Sequence, residues 1–324
     1  MRHQFDFVGP KITPEKEVRA THRLASVQRK ESFFQEGEIE KTPEERVAIE
    51  LFDKVLKREF LDSDIPEVPE LRPERFHVMS EAWCNANMDE ASSGSGSYAS
   101  FGDKAMLFRH RSRSRLDFYN TILHEAIHSV SRQKHWLNVE NEAIGSYRLG
   151  YRIKNPIRKN DVHVHLSAFN EGVTEATTEE LFKENFREIG RRLSLSYDEF
   201  ERYTYSYPTS REAIKNLCYG VAAFKNIPPK EVWKKIKKGQ FTGDMMHLRD
   251  VELAYGKGAL RVLDALEIGL NEVPSAARAA LEEKNNKILQ YFDSYDADGV
   301  NKQEARSTLS LEVLGLEAYK KYCM

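Results

Sequence analysis

The sequence predicts an α+β protein, and three observations carry that expectation. Strand-like runs, RFHVMS and KAMLFRH, are confined to residues between about 72 and 115. From residue 116 the hydrophobic period becomes that of a helix, and from about 209 onward one capped helical segment follows another. Such a text builds a small sheet of three or four strands, helices packed on it, and a helical C-terminal region.

The elements follow in order. Residues 1–41 are polar, show no sustained hydrophobic period, and read as a mobile arm with at most one helical stretch. At Thr42 the text changes: Thr42 can cap, Pro43 suits the first helical position, and Glu45 can reach back to complete a capping box. A helix from 43 to about 60 follows, with Val47, Leu51, Phe52, Val55 and Leu56 as its buried stripe. The proline-punctuated DSDIPEVPELRPE closes this N-terminal part near residue 72.

Between the two strand runs, ASSGSGSYASFG reads as a flexible turn or loop. Leu116, Tyr119, Ile122, Leu123, Ala126, Ile127 and Val130 form one helical stripe, and a second helix runs from about 167 to 187. Further helices fall near 209–225, 229–238, 244–255, 257–269, 274–292 and 308–322. The expected organisation is therefore three-part: residues 1–72, 73–190 and 191–324. No repeat of 20 to 50 residues supports a solenoid.

Composition excludes several classes. A length of 324 residues and 40% hydrophobic content can supply a core, but no apolar run approaches the roughly 20 residues of a membrane span. The opening MRHQFDFVGPKITPEKEVRA lacks the apolar stretch of a secretory signal. Cys84, Cys218 and Cys323 fit neither a disulfide framework nor a paired-cysteine metal knuckle. A cytoplasmic protein fits these features best. Basic and acidic residues, 49 against 51, nearly cancel, so no nucleic acid or membrane partner is expected.

The sharpest chemical signal is HEAIH, residues 124–128, inside the helical stripe. Histidines four apart project from one helix face, so His124 and His128 can meet on one ion. Glu125, beside the first ligand, can take a proton from water activated by that ion without binding the ion itself. The competing explanation is a helix whose histidines merely pack or hydrogen-bond. A catalytic zinc needs a third protein donor and an open fourth position. A histidine soon after the pair fails, because Ser131 and Lys134 occupy the required positions and His135 is out of register by one. NEGVTE, residues 170–175, offers Glu171 as the donor and Glu175, one turn on, as a support for His124 or His128.

With Glu171 standing 43 residues after His128, HEAIH followed by NEGVTE resembles the gluzincin metallopeptidases, the thermolysin-like class, over roughly residues 75–190. The resemblance implies a zincin-like catalytic core, with an active-site helix and a glutamate helix beside a small mixed sheet. It implies one Zn2+ held by His124, His128 and Glu171, with Glu125 as general base and Glu175 orienting a ligand histidine, where thermolysin itself has aspartate. It also implies a peptide or protein substrate whose backbone pairs with the last strand before the active helix, here the run KAMLFRH.

Weaker signals stand beside bland explanations. An amide hydrolase needs a donor to the developing oxyanion. Tyr207 is the candidate we favour among Tyr203, Tyr205, Tyr147, His163, His165 and His247, against a tyrosine-rich joint that only packs helices. Arg109, Arg111, Arg113 and Arg115 would share one side of an extended run, either to hold acidic groups or as a solvated edge. FDSYDADGVNKQE, residues 292–304, echoes a calcium loop but fails its register. Residues 1–72 could act as an inhibitory segment. The alternative function is a non-catalytic module in which zinc staples a helical protein-interaction fold.

Overall fold

The capping chemistry at Thr42 sets the first long helix in place. In a computed structural model of the chain, which describes residues 3–8, 12–29, 36–66, 70–88, 94–99, 104–139, 144–154, 164–268, 275–293 and 302–323, a strand β1 (His3–Val8) and a helix α1 (Pro14–Arg29) precede it. Helix α2 (Pro43–Asp62) then starts on a complete capping box: the Thr42 hydroxyl accepts the Glu45 N–H, and Glu45 Oε2 accepts the Thr42 N–H at 2.8 Å.

Next come β2 (Phe76–Val78), α3 (Glu81–Asn87), β3 (Gly96–Ala99), β4 (Lys104–Leu107) and the helix α4 (Arg115–Val130) that carries HEAIH. The strands form a sheet in the order β2-β4-β3, with β4 parallel to β2 and antiparallel to β3. Two expectations change here. The run KAMLFRH supplies the central strand, whose edges are both taken, and part of the Ser/Gly-rich stretch is the edge strand β3 rather than a loop.

After α4 the chain returns as β5 (Gln133–Asn138) and β6 (Ile144–Leu149). Strand β5 pairs parallel with β1, from His3↔Gln133 to Val8↔Asn138, and antiparallel with β6. The expected arm thus contributes a strand. Strands β7 (Arg152–Lys154) and β8 (Val164–His165) lead into α5 (Ser167–Leu193), the glutamate helix. The remainder is helical: α6 (Tyr197–Glu201), α7 (Pro208–Lys225), α8 (Pro229–Thr242), α9 (Arg249–Tyr255), α10 (Ala259–Asp264), α11 (Ser275–Phe292), α12 (Gln303–Leu314) and α13 (Leu316–Tyr322). The expected helix 308–322 is two, divided at Gly315 with φ 77°. Most of the calcium-loop echo, residues 294–301, lies outside the described residues. The class is α+β, small mixed sheets among many helices.

Contacts divide the chain into two compact units, Met1–Gly150 with Lys154–Val162 and Thr177–Thr204, and Tyr151–Ile153 with His163–Ala176 and Tyr205–Met324. The division passes through helix α5. In the first unit α2 packs on α4, and Phe52 meets Phe182 at a ring separation of 6.0 Å. Burying such a side chain contributes about 1.5–3 kcal/mol. Arg109 grips Glu45 through two hydrogen bonds, Nε to Oε1 at 2.6 Å and Nη2 to Oε2 at 2.8 Å. Residues 3–8 and 43–62 are therefore built into this unit.

The arginine run is also structural. Arg109–Arg111 form a 3-10 turn and Arg115 opens α4, so the four guanidinium groups never share an extended face. Arg113 binds Asp117 and Arg115 binds the Leu193 carbonyl at 3.0 Å.

In the second unit, Phe169, Val173, Ile214 and Leu217 belong to a core that closes around Tyr151. The Tyr151 hydroxyl lies 2.7 Å from both the Ile236 carbonyl oxygen and His247 Nε2. Burial pushes the His247 imidazole down to about 4, against weaker opposition from Asp244 and Asp250 and with help from Lys235. Because the unfolded chain binds this proton near the ordinary 6.5, the stability it represents is complete above about pH 6.5 and drains away as pH falls toward 4. Urea unfolding across that window should show a loss on the order of 3 kcal/mol. The variant His247→Gln should flatten this part of the profile, and an unchanged slope would contradict the assignment.

Candidate metal centre

Helix α4 has almost no water-facing side: every residue from Leu116 to Val130 is buried. Ser114 caps it by accepting the Asp117 N–H at 3.1 Å. Its apolar positions fill the core, and Asp117, Thr121, His124, Glu125 and His128 recur at helical spacing as a polar stripe. Burying such groups is costly unless each finds partners. Asp117 accepts hydrogen bonds from Arg113 Nη2 at 2.9 Å and from the Tyr203 hydroxyl at 2.8 Å. Burial alone would raise its carboxyl, but the Arg113 side chain and backbone, with Tyr203, outweigh that and hold it below the usual carboxylate range. Thr121 donates to the Asp117 carbonyl oxygen at 3.0 Å and lies 2.6 Å from the Ser95 hydroxyl.

The spacing of four brings the two imidazoles together. Their centroids are 4.8 Å apart with planes at 75°, and His124 Nε2 lies 3.1 Å from His128 Nε2. A tetrahedral ion with metal–nitrogen bonds of about 2.0–2.1 Å spaces two ligand nitrogens by about 3.3 Å, close to what the pair presents. One ligand atom each from His124, His128 and Glu171 lies within 4.8 Å of the others. Among the described residues this is the group able to hold a metal ion, and its donor set suits a site with an open position.

Glu171 is positioned by neighbours that sequence reasoning missed. Asn170, fully buried, points its Nδ2 at Glu171 Oε1 over a long 3.4 Å, while its Oδ1 accepts the Tyr151 N–H at 2.9 Å. Gly172 lets α5 and α7 approach closely: a Cβ there would lie 2.7 Å from both Ser210 Cβ and Ile214 Cδ1. Glu175, 1% exposed, accepts the Ser206 N–H at 2.7 Å. On the other side, a Cβ at Gly96 of β3 would lie 2.7 Å from Glu125 Oε1 and 2.6 Å from Thr121 Cγ2. For Asn170, Gly172 and Gly96 the sequence offered no signal beyond a small or amide side chain, the first two inside NEGVTE itself.

The oxyanion candidates separate. Tyr147 binds Asp6, beside Lys134, and Tyr203 binds Asp117. Tyr205 is buried under the Arg211 guanidinium, His165 binds Asp264 at 2.7 Å, and His247 is committed to Tyr151. His163 lies outside the described residues. Tyr207 remains, half-buried at the N-cap of α7 with φ 51° and ψ 48°. His135, on β5, is not a member of the ligand group.

No protein-family model, curated protein or solved structure matches the chain.

If Gly172 fixes the height of Glu171, Gly172→Val should force α5 and α7 apart. We expect a destabilisation of about 1–3 kcal/mol in urea and, for any divalent ion that the group takes up, at least roughly tenfold weaker binding by chelator competition. Unaltered affinity would show that this contact does not set the carboxylate.

Proposed function

We propose that the protein is a zinc-dependent metallopeptidase of gluzincin type, hydrolysing peptide bonds in a peptide or protein substrate. The observation that carries the reading is the meeting of His124, His128 and Glu171 beside a buried Glu125 that is not one of the donors. Two imidazoles and a carboxylate are the ligand set of a catalytic zinc, with the remaining position left for water or substrate. A zinc ion held there would polarise the scissile carbonyl and lower the pKa of water to about 7.

The chain's own groups do the rest. Glu125, next in sequence to a ligand, takes the proton of the attacking water and passes it to the leaving amine. Strand β3 has β4 as its neighbour on one side and, among the described residues, ends the sheet on the other. Its outer edge offers backbone N–H and C=O groups to an extended substrate, in place of the central run KAMLFRH. An antiparallel edge strand in contact with the HEAIH helix supports a zincin-like core. The absence of a Cβ at Gly96 lets that edge lie against the Glu125 carboxylate, where the proton has to be taken.

Metal analysis should find about one zinc per chain, lost on His124→Ala or His128→Ala. In a peptide-library digest, Glu125→Gln should reduce kcat by about 10²–10⁴-fold while zinc content stays unchanged. Retained turnover in that variant would remove the proposed base. Gly96→Ala should also keep its zinc, and by displacing the carboxylate should cost on the order of 10²-fold in kcat. Wild-type rates in Gly96→Ala would show that β3 does not confine Glu125.

A further inference from the structure

Where the start of α2 meets the turn before α4, the first unit forms an open cavity of about 450 Å³. That volume lies in the range of small-molecule sites. Thr42, Ser112, Ser114, Arg115 and Tyr119 line it. None of them belongs to the metal-holding group, so the site stands apart from the metallopeptidase reading.

These side chains share a surplus of hydrogen-bond donors. The Thr42 and Ser114 hydroxyls accept the N–H groups of Glu45 and Asp117, and the Tyr119 hydroxyl accepts from Arg115 Nη2 at 3.4 Å. Each keeps its own hydrogen, for which no described residue provides an acceptor. Arg115 commits Nη2 to Tyr119 and to the Leu193 carbonyl at 3.0 Å, which leaves Nε and Nη1 without an acceptor among the described residues. Ser112 goes further. Its hydroxyl oxygen is sealed from water and has no hydrogen-bond partner among the described residues. A polar group buried in this way costs free energy, and a change of rotamer is the cheapest motion that brings it to a partner in the cavity.

The acidic residues on the wall limit the charge that the cavity takes. Glu45 answers the Arg109 fork at 2.6 and 2.8 Å, so that pair is neutral. Arg115 and the exposed Glu44 remain, one charge of each sign. A dianion would meet Glu44 with a single uncommitted guanidinium to hold it. One carboxylate, by contrast, matches the planar guanidinium and the neighbouring hydroxyls. Phe118 and Tyr119 on the same wall suit an apolar body attached to that carboxylate.

We propose that this cavity is a binding site for a small organic carboxylate, whose oxygens take the hydrogen bonds of Arg115, Ser112, Ser114 and Tyr119. The probe is benzoate, with benzamide as its uncharged counterpart and inorganic phosphate as the more highly charged anion. Titration calorimetry on the full chain should give benzoate a Kd of roughly 1 mM or below. Benzamide and phosphate should each bind at least about tenfold more weakly.

Arg115→Gln should weaken benzoate at least about tenfold. Because Arg115 also ties Leu193, Ser112→Ala and Tyr119→Phe are measured beside it, each with an expected loss of roughly three- to tenfold. Without benzoate, Ser112→Ala should melt at the wild-type temperature or above it, since it removes a buried hydroxyl that has no protein partner. A hydroxyl with a purely structural task gives the reverse, a lower melting temperature and unchanged benzoate affinity. His124→Ala should bind benzoate as the wild type does, which separates the cavity from a carboxylate held on a metal ion.

Absence of benzoate binding, equal affinity for benzamide, or tighter binding of phosphate overturns the proposal. So does wild-type benzoate affinity in both Ser112→Ala and Tyr119→Phe, or loss of binding in His124→Ala.

Discussion

A helix with no water-facing side that carries two histidines and two carboxylates is the constraint on which the first unit is organised. Along α4 every residue from Leu116 to Val130 is shut away from solvent, so the polar stripe cannot be hydrated and must be partnered by protein. An unpaired buried charge would cost several kcal/mol. Features that look unrelated in sequence meet this demand. Arg113 and Tyr203 serve Asp117, Ser95 serves Thr121, and the two histidines face one another. Arginines that could have formed an external cationic strip serve instead as ties between elements.

Close backbone approach is the second recurring device. Gly96 brings a strand against the Glu125 carboxylate, and Gly172 brings one helix against another beside Glu171. Each spot excludes even a methyl group without displacement of a neighbour. Both glycines adjoin residues of the candidate chemistry, one from a sheet edge and one from within the NEGVTE motif itself. The precision of the site is set as much by omitted side chains as by those that are present.

What was legible in the sequence is what local physics decides. The box at Thr42 and Glu45 and the 3.6-residue stripe from Leu116 to Val130 placed α2 and α4 to within a residue or two. The spacing within HEAIH and NEGVTE put His124, His128 and Glu171 forward as a group. Non-local pairing was not legible. Strand β1 has its partner about 130 residues away, and β3 is written in glycine and serine, residues with weak strand preference. Which strand of a sheet is central is likewise a matter of topology, so KAMLFRH was assigned an edge that belongs to GSYA. The arginine alternation misled because a 3-10 turn at Arg109 breaks the two-residue period it presupposed. Asn170 and Ser206 escaped notice because their importance lies in geometry, a side-chain amide and a main-chain N–H that three-dimensional packing brings to Glu171 and Glu175.

The parallel pairing of β1 with β5 has a kinetic consequence. Phe7 packs with Ala20 and Leu137, so the first strand is held by the segment that immediately follows the HEAIH helix. During synthesis those early residues have no template until more than a hundred others have emerged, and a loop of that length must close before the contact is made. Pairing of β1 therefore comes only after the histidine helix has been made, and the nascent chain passes through a stage in which β1 waits for its mate β5.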